Sequence, residues 1–116
     1  MYKDFYYKNY ASLNEAMRIH NKIMPGEKFN YIDYGLLSLI RSFYDSKKDF
    51  YMTNDQLAAM FFVCDKTIRK SINRLCKCQF IKKQYKENNR LKGRYLIYNE
   101  KNVNSFVSSM LAEASR

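Results

Sequence analysis

The feature that most constrains the fold is a pair of short helical patterns separated by only three residues. Residues 53–56 (TNDQ) are typical of a capping box, in which a hydroxyl accepts from a backbone amide and the Gln side chain reaches back to the cap. The helix that begins there breaks around residues 62–64 (FVC), and Asp65 is suited to cap a second helix. Because the connection is so short, the two helices are expected to pack as one unit.

The second helix is predicted to have an apolar side and a polar side. Ile68, Ile72 and Leu75 recur at helical spacing and are expected to face the core. The polar side chains that follow three- and four-residue steps, and so share one face, are Lys66, Arg69, Lys70, Asn73 and Lys77.

An alternating stretch after this helix and a second extended run over residues 94–98 predict a β-hairpin, with a polar turn through Asn88-Asn89. Three further helices are predicted. One is capped by Ser12 and ends at Pro25-Gly26, and one spans residues 31–44 with the wide apolar face of a buried helix. The last follows the capping residues 99–102 and has an apolar stripe of Val103, Phe106, Val107, Met110 and Leu111.

These elements predict a mainly α protein with a small β-hairpin, an α+β fold. At 116 residues the chain is long enough to bury one core and too short for two. The expected organisation is an N-terminal arm and helix over residues 1–28, a central domain over 29–99 and a C-terminal amphipathic helix over 100–116.

Positive charge is concentrated in one segment. The chain has a net charge of +10, and residues 65–94 contain eleven cations against two anions, a net of +9. The flanking segments are close to neutral. A basic run is often only a solvated helix face, but here it coincides with the helix pair and the hairpin, so a polyanion is the expected partner.

Other chemistry has little support. There are no paired carboxylates on a shared face and no glycine-rich phosphate loop, so no enzyme, catalytic residue or cofactor is expected. His20 is the only histidine, and packing is the expected role. Cys64, Cys76 and Cys78 are odd in number and wrongly spaced for zinc, which indicates free thiols and no metal. Without a membrane span or a signal core, a cytoplasmic protein that binds no membrane is expected.

Residues 56–75 (QLAAMFFVCDKTIRKSINRL), followed by FIKK and a hairpin ending in GRYLIY, resemble the winged helix-turn-helix superfamily of DNA-binding proteins. The resemblance covers about residues 31–98. It implies that Leu57 and Ala58 lie inside the first helix, that Val63 fills the turn and that Phe80-Ile81 opens the wing. The chain is similar to N-terminal domains of plasmid and phage replication initiators, and to small relaxosome accessory proteins of conjugative plasmids.

Phe62 departs from the family pattern. At this position the family usually has glycine or a small polar residue, because the turn tends to need a left-handed backbone. With Phe62 there, either the turn takes another shape or the first helix runs on.

The winged-helix resemblance implies a recognition helix in the major groove. We expect base readout by Lys66, Arg69, Lys70 and Asn73, with Arg69 on guanine and Asn73 on adenine, each contributing about 1–3 kcal/mol of discrimination. Backbone contacts are expected from Thr67, Arg74, Lys77, Lys82 and Lys83. The wing cations are Lys86, Arg90, Lys92 and Arg94, of which Arg90 is the first candidate for an AT-rich minor groove.

The expected partner is double-stranded DNA, bound by a homodimer over two half-sites and in some roles within a larger nucleoprotein complex. The C-terminal helix or the tyrosine-rich N-terminal arm could form the dimer interface; packing of either on the chain's own core is equally compatible. Replication initiation or conjugative transfer at a plasmid or phage origin is the expected role. The alternatives are repression of a mobile-element operon and, in another class, a protein-interaction or RNA-binding module.

Overall fold

The computed structural model describes residues 11–85 and 94–115. Within these residues the chain is mainly helical with one two-stranded antiparallel hairpin, so the expectation of a mainly α protein with a small β-hairpin is confirmed. The elements in chain order are α1 (Ala11–Ile23), α2 (Tyr31–Asp45), α3 (Asn54–Phe61), α4 (Asp65–Lys77), β1 (Ile81–Tyr85), β2 (Arg94–Tyr98) and α5 (Glu100–Ala114).

Helix α2 is the centre of the core. It contacts α1, α4 and β2, and its apolar side is buried as the sequence predicts. Burial of each such side chain contributes about 1.5–3 kcal/mol. The buried apolar residues of this helix are Ile32, Leu36, Leu37, Leu39 and Ile40.

A glycine lets α2 and α3 approach closely. Gly35 lies in the middle of α2, where glycine is unfavourable by about 0.5–1 kcal/mol relative to alanine. A Cβ atom at this position would lie 2.8 Å from Cε1 of Phe61, the last residue of α3. The missing side chain therefore makes room for the Phe61 ring and helps to fix the helix pair against the core.

The start of α3 agrees with the sequence prediction, and the start of α4 corrects it. Thr53 and Gln56 form both bonds of the capping box, at 3.1 and 2.9 Å. For α4 the N-cap residue is Cys64, which makes no side-chain capping bond. Asp65 is instead in the first turn, where its carboxylate suits the helix dipole and pairs with Arg69 one turn later. The prediction of Asp65 as the cap is wrong by one residue.

The start of α1 also differs from the prediction. The helix already includes Ala11, so Ser12 lies in its first turn and is not the residue that precedes the helix. The predicted stop holds, because α1 ends at Ile23, just before Pro25-Gly26.

The turn between α3 and α4 keeps a left-handed backbone despite its bulky residue. Phe62 has φ 56° and ψ 43°, and the Val63 amide donates to the Ala58 carbonyl at 3.0 Å. The turn therefore keeps the left-handed shape that the family pattern requires, and helix α3 ends at Phe61 without running on. Both alternatives expected for Phe62 are wrong. A left-handed residue with a Cβ atom costs about 1–2 kcal/mol. The Phe62 side chain is 94% exposed, so burial does not offset that cost.

The hairpin pairs Ile81 with Tyr98 and Tyr85 with Arg94 at its two ends. The Leu96 amide of β2 also donates to the Phe50 carbonyl at 3.0 Å, forming an isolated bridge to the segment before α3. This bridge attaches the hairpin to the helix pair. Strand β1 is buried only at Ile81, and its remaining residues are exposed.

Helix α5 packs against α1 and the core. Its cap is Asn99, whose Oδ1 accepts from the Asn102 amide at 3.2 Å, as the sequence predicts. Val103 is fully buried, and the Phe106 ring lies 5.8 Å from that of Phe29 and 5.0 Å from that of Phe80. Part of the apolar stripe of the last helix is therefore used within this chain.

Candidate nucleic-acid interface

Helix α4 divides into a buried side and an exposed polar side. Ile68, Ile72 and Leu75 are buried as predicted, together with the small Ser71. Because the apolar side holds the helix on the core, the polar side faces solvent. The exposed side chains of the predicted face are Lys66, Arg69, Lys70, Asn73 and Lys77.

Arg69 is lightly restrained on this face. Its Nε lies 2.8 Å from Oδ2 of Asp65, and the two side chains are 61% and 41% exposed. An ion pair this exposed contributes about 0–1 kcal/mol. Arg69 can therefore exchange Asp65 for another acceptor at little cost.

Arg74, in contrast, is tied to the fold. Its Nη1 donates to both carboxylate oxygens of Asp33, each at 2.7 Å, and the Ser71 hydroxyl donates to Oδ1 of Asp33 at 2.6 Å. Asp33 is fully buried and also accepts from the Asn30 amide at 2.9 Å, in the capping box that begins α2. Arg74 thus joins α4 to α2, and a phosphate would have to share its guanidinium with Asp33.

Arg94 is also engaged inside the protein. It is half-buried at the first position of β2, where Nη1 donates to the Met52 carbonyl at 2.8 Å and Nη2 to Oδ1 of Asn54 at 2.6 Å. Burial lowers its pKa, although a guanidinium stays charged at neutral pH. Among the predicted wing cations, Arg94 therefore links the hairpin to the start of α3.

A polar cleft of about 190 Å³ lies between α4, the hairpin and the start of α3. It brings together Lys83, predicted to contact the DNA backbone, and Arg94, a predicted wing residue. Arg69 and Asn73, predicted to contact bases, line the same cleft. The residues that line it are Asn54, Arg69, Ile72, Asn73, Lys83 and Arg94, and none of these is acidic.

Neighbouring lysines of β1 differ in their relation to this cleft. Lys82 and Lys83 are both exposed, but Lys83 lines the cleft and Lys82 is not among the lining residues. This follows from the strand, in which successive side chains point to opposite faces. The predicted wing residues Lys86, Arg90 and Lys92 lie outside the described residues.

Thr67, a predicted backbone contact, is half-buried and close to a thiol. Its Oγ1 lies 3.3 Å from Sγ of Cys64, and this hydrogen bond is the main cause that lowers the pKa of the Cys64 thiol. Burial instead raises the pKa of Cys76. The cysteines are free, and in the described ranges no group of three or more metal-binding side chains is close enough to hold an ion.

His20 takes part in an aromatic cluster. Its ring centroid lies 4.7 Å from that of Phe29 and 5.8 Å from that of Phe106, and Nε2 lies 2.9 Å from the Glu27 carbonyl oxygen. The packing role expected for this residue is confirmed.

Sequence comparisons with known proteins add no relative. The chain matches no protein-family model, and no curated protein is similar to it at a significant level. Over residues 11–85 and 94–115, no helix is long and apolar enough to cross a membrane.

Sequence reasoning missed two residues that shape the interface. Asp33 follows Asn30 at capping-box spacing, a signal that could have indicated the start of α2, although nothing local indicates its contact with Arg74. The sequence pattern indicates Asn54 only as part of a helix cap. Its contact with Arg94, forty residues away in sequence, depends on how the hairpin packs.

Proposed function

We propose that this protein binds double-stranded DNA through the exposed face of α4 and the hairpin, as a winged helix-turn-helix protein. One observation carries the proposal: four cations and an amide share the exposed side of a single helix whose opposite side is buried. The only acidic residue of α4 is Asp65, which is already paired with Arg69. Such a face suits a major groove about 12 Å wide, which accepts one helix.

The order of elements supports the same proposal. A buried support helix, a bridge at Phe50, a tightly linked helix pair and a hairpin follow one another along the chain. The bridge between Phe50 and Leu96 holds the hairpin to the segment before α3, and β1 contacts α4, so that both could contact one duplex. In this arrangement α4 is the recognition helix and the hairpin is the wing.

Within the proposed interface the described residues take two roles. Arg69 and Asn73 suit guanine and adenine, because a guanidinium and an amide can each form two hydrogen bonds to one base edge. Lys66 and Lys70 lie beside them on α4, where each can contact a base edge or an adjacent phosphate. The cations suited to phosphate are Lys77, Lys82 and Lys83, which are exposed and carry the compact charge of an ammonium group.

A homodimer over two half-sites would extend the small surface of one domain. The dimer interface is proposed to involve residues 1–10 or the part of α5 beyond Phe106. The proposed role is replication initiation or conjugative transfer at an origin of a plasmid or phage, with repression of a mobile-element operon as the alternative.

The test is selection of bound duplexes from a random DNA pool, followed by fluorescence anisotropy on the selected sequence. Arg69→Ala should relax the preference at one base position, by about 1–3 kcal/mol of discrimination. Lys101→Ala, which removes an exposed cation from α5, is the matched control and should leave the preference unchanged.

The absence of any selected motif, with equal binding by wild type and Arg69→Ala, would contradict sequence-specific readout by α4. Stronger binding to single strands or RNA than to the duplex would favour an RNA-binding module instead.

A further inference from the structure

The cleft between α4 and the hairpin contains a cation, Arg94, that is not matched by an anion among residues 11–85 and 94–115. Arg94 is half-buried, and its described hydrogen bonds go to two neutral acceptors, the Met52 carbonyl and the Asn54 side chain. Within the described residues Arg94 has no ion pair, whereas Arg74 on α4 forms an ion pair with Asp33. A charge that has lost part of its water is unfavourable until an opposite charge compensates it.

Further donors converge on the same space. Lys83 comes from β1, while Arg69 and Asn73 come from α4. Asn54 accepts from Arg94 through Oδ1, which leaves its Nδ2 group as a donor. These cations also act on Cys76. Burial raises the pKa of the Cys76 thiol, and the positive charges of Lys83 and Arg94 act in the opposite direction.

We infer that this cleft is a binding site for one phosphate group, held by Arg94, Lys83 and Asn54. Guanidinium and ammonium groups form charge-assisted hydrogen bonds with phosphate oxygens, and an amide adds a neutral donor. The cleft volume of about 190 Å³ is sufficient for a phosphate group with waters beside it. In the complex proposed above, on which this assignment rests, the group is one phosphodiester of the duplex.

Such a site fixes the register of the DNA. A phosphate seated between α4 and the hairpin lies beside Arg69 and Asn73, so it sets where along the groove these side chains meet base edges. The cleft thus gives Lys83 a defined partner and leaves Lys82 as a general surface cation.

The first arm of the test uses the protein alone with inorganic phosphate. Thermal melting in sodium phosphate is compared with sodium chloride at equal ionic strength. Wild type should melt about 2–4 °C higher in phosphate. Lys83→Met should lose this gain, and the matched variant Lys82→Met, which removes the same charge from the opposite face of β1, should keep it.

The second arm uses the selected duplex with single phosphodiesters replaced by neutral methylphosphonates. In wild type and Lys82→Met, one position in each bound site should weaken affinity by about tenfold. Lys83→Met should bind more weakly overall and be insensitive at that position.

Equal behaviour of Lys83→Met and Lys82→Met in both arms would overturn the inference. Stabilisation by inorganic phosphate without any sensitive position in the duplex would assign the cleft to free phosphate and overturn its role in DNA register. Failure of wild type to bind any duplex would refute the proposed function, while the melting experiment would still decide whether the cleft binds phosphate.

Discussion

Arg74 and Lys70 lie about one turn apart on α4 and carry the same charge, but only Arg74 is part of the fold. Arg74 holds both oxygens of the buried Asp33, whereas Lys70 is exposed and makes no described ion pair. The net charge of +9 in residues 65–94 therefore overstates the charge that is open to a polyanion. Arg74 shares its guanidinium with Asp33, and Arg94 has two of its donors engaged within the protein.

The chemistry of the two side chains accounts for this division. A guanidinium is planar and weakly hydrated, and several donors in fixed positions suit it to a buried carboxylate. A lysine ammonium is strongly hydrated and stays in water unless burial is compensated. On α4, Arg74 therefore packs against the fold and pairs with Asp33. The exposed lysines remain accessible to an anionic partner.

The largest expected effect is on stability, from Arg74→Met. Among the described residues, the substitution leaves the buried Asp33 carboxylate with Ser71 and Asn30 as its polar partners, which should lower the free energy of unfolding by about 2–3 kcal/mol. The value is at the low end for a broken buried pair because the Arg74 side chain is 36% exposed. Urea denaturation of the variant beside wild type measures it, and a change below about 0.5 kcal/mol would show that the pair does not stabilise the fold.

Lys70→Met removes the exposed cation of this pair and should change DNA binding instead of stability. Its stability should stay within about 0.5 kcal/mol of wild type, because an exposed side chain loses no packing. Duplex affinity should fall roughly tenfold at 0.1 M salt, since one counterion fewer is released. Anisotropy and urea denaturation on the same sample check both parts; loss of stability with unchanged affinity would reverse the roles assigned to these residues.

Phe62→Gly should act in the opposite direction from Arg74→Met and raise the free energy of unfolding by about 0.5–1 kcal/mol. Glycine accepts the left-handed backbone of Phe62 without strain, and the gain is reduced by its greater freedom in the unfolded chain. Ala59→Gly, in the right-handed interior of α3, is the control and should destabilise by about 1 kcal/mol. Equal losses in both variants would mean that the turn is not strained.

The smallest effect separates two thiols. The hydrogen bond from Thr67 lowers the pKa of the exposed Cys64, and burial raises the pKa of Cys76. As pH rises through the thiol range, Cys64 should become thiolate first and be alkylated faster by iodoacetamide. Mass spectrometry of the labelled peptides gives the order, and Thr67→Val should slow labelling at Cys64; faster labelling of Cys76 would contradict it.

Local patterns explain what the sequence could predict. The helices, the hairpin and the buried positions of α4 follow from periodicity and capping residues, because these depend on neighbours within a few residues. The contacts of Arg74 with Asp33 and of Arg94 with Asn54 join residues about forty positions apart, and no local pattern contains them. Phe62 shows the same limit, since the turn overrides the conformational preference of its own residue.

The most direct test of DNA binding by this surface is the dependence of duplex affinity on salt. If the exposed lysines Lys66, Lys70, Lys77, Lys82 and Lys83 all contact phosphate, log affinity against log salt should have a slope of about −4.5. The double variant Lys66→Met/Lys70→Met should reduce that slope by about two, while Lys47→Met/Lys48→Met, on the loop after α2, should leave it unchanged. A slope near zero, or equal slopes for the two double variants, would contradict duplex binding by α4.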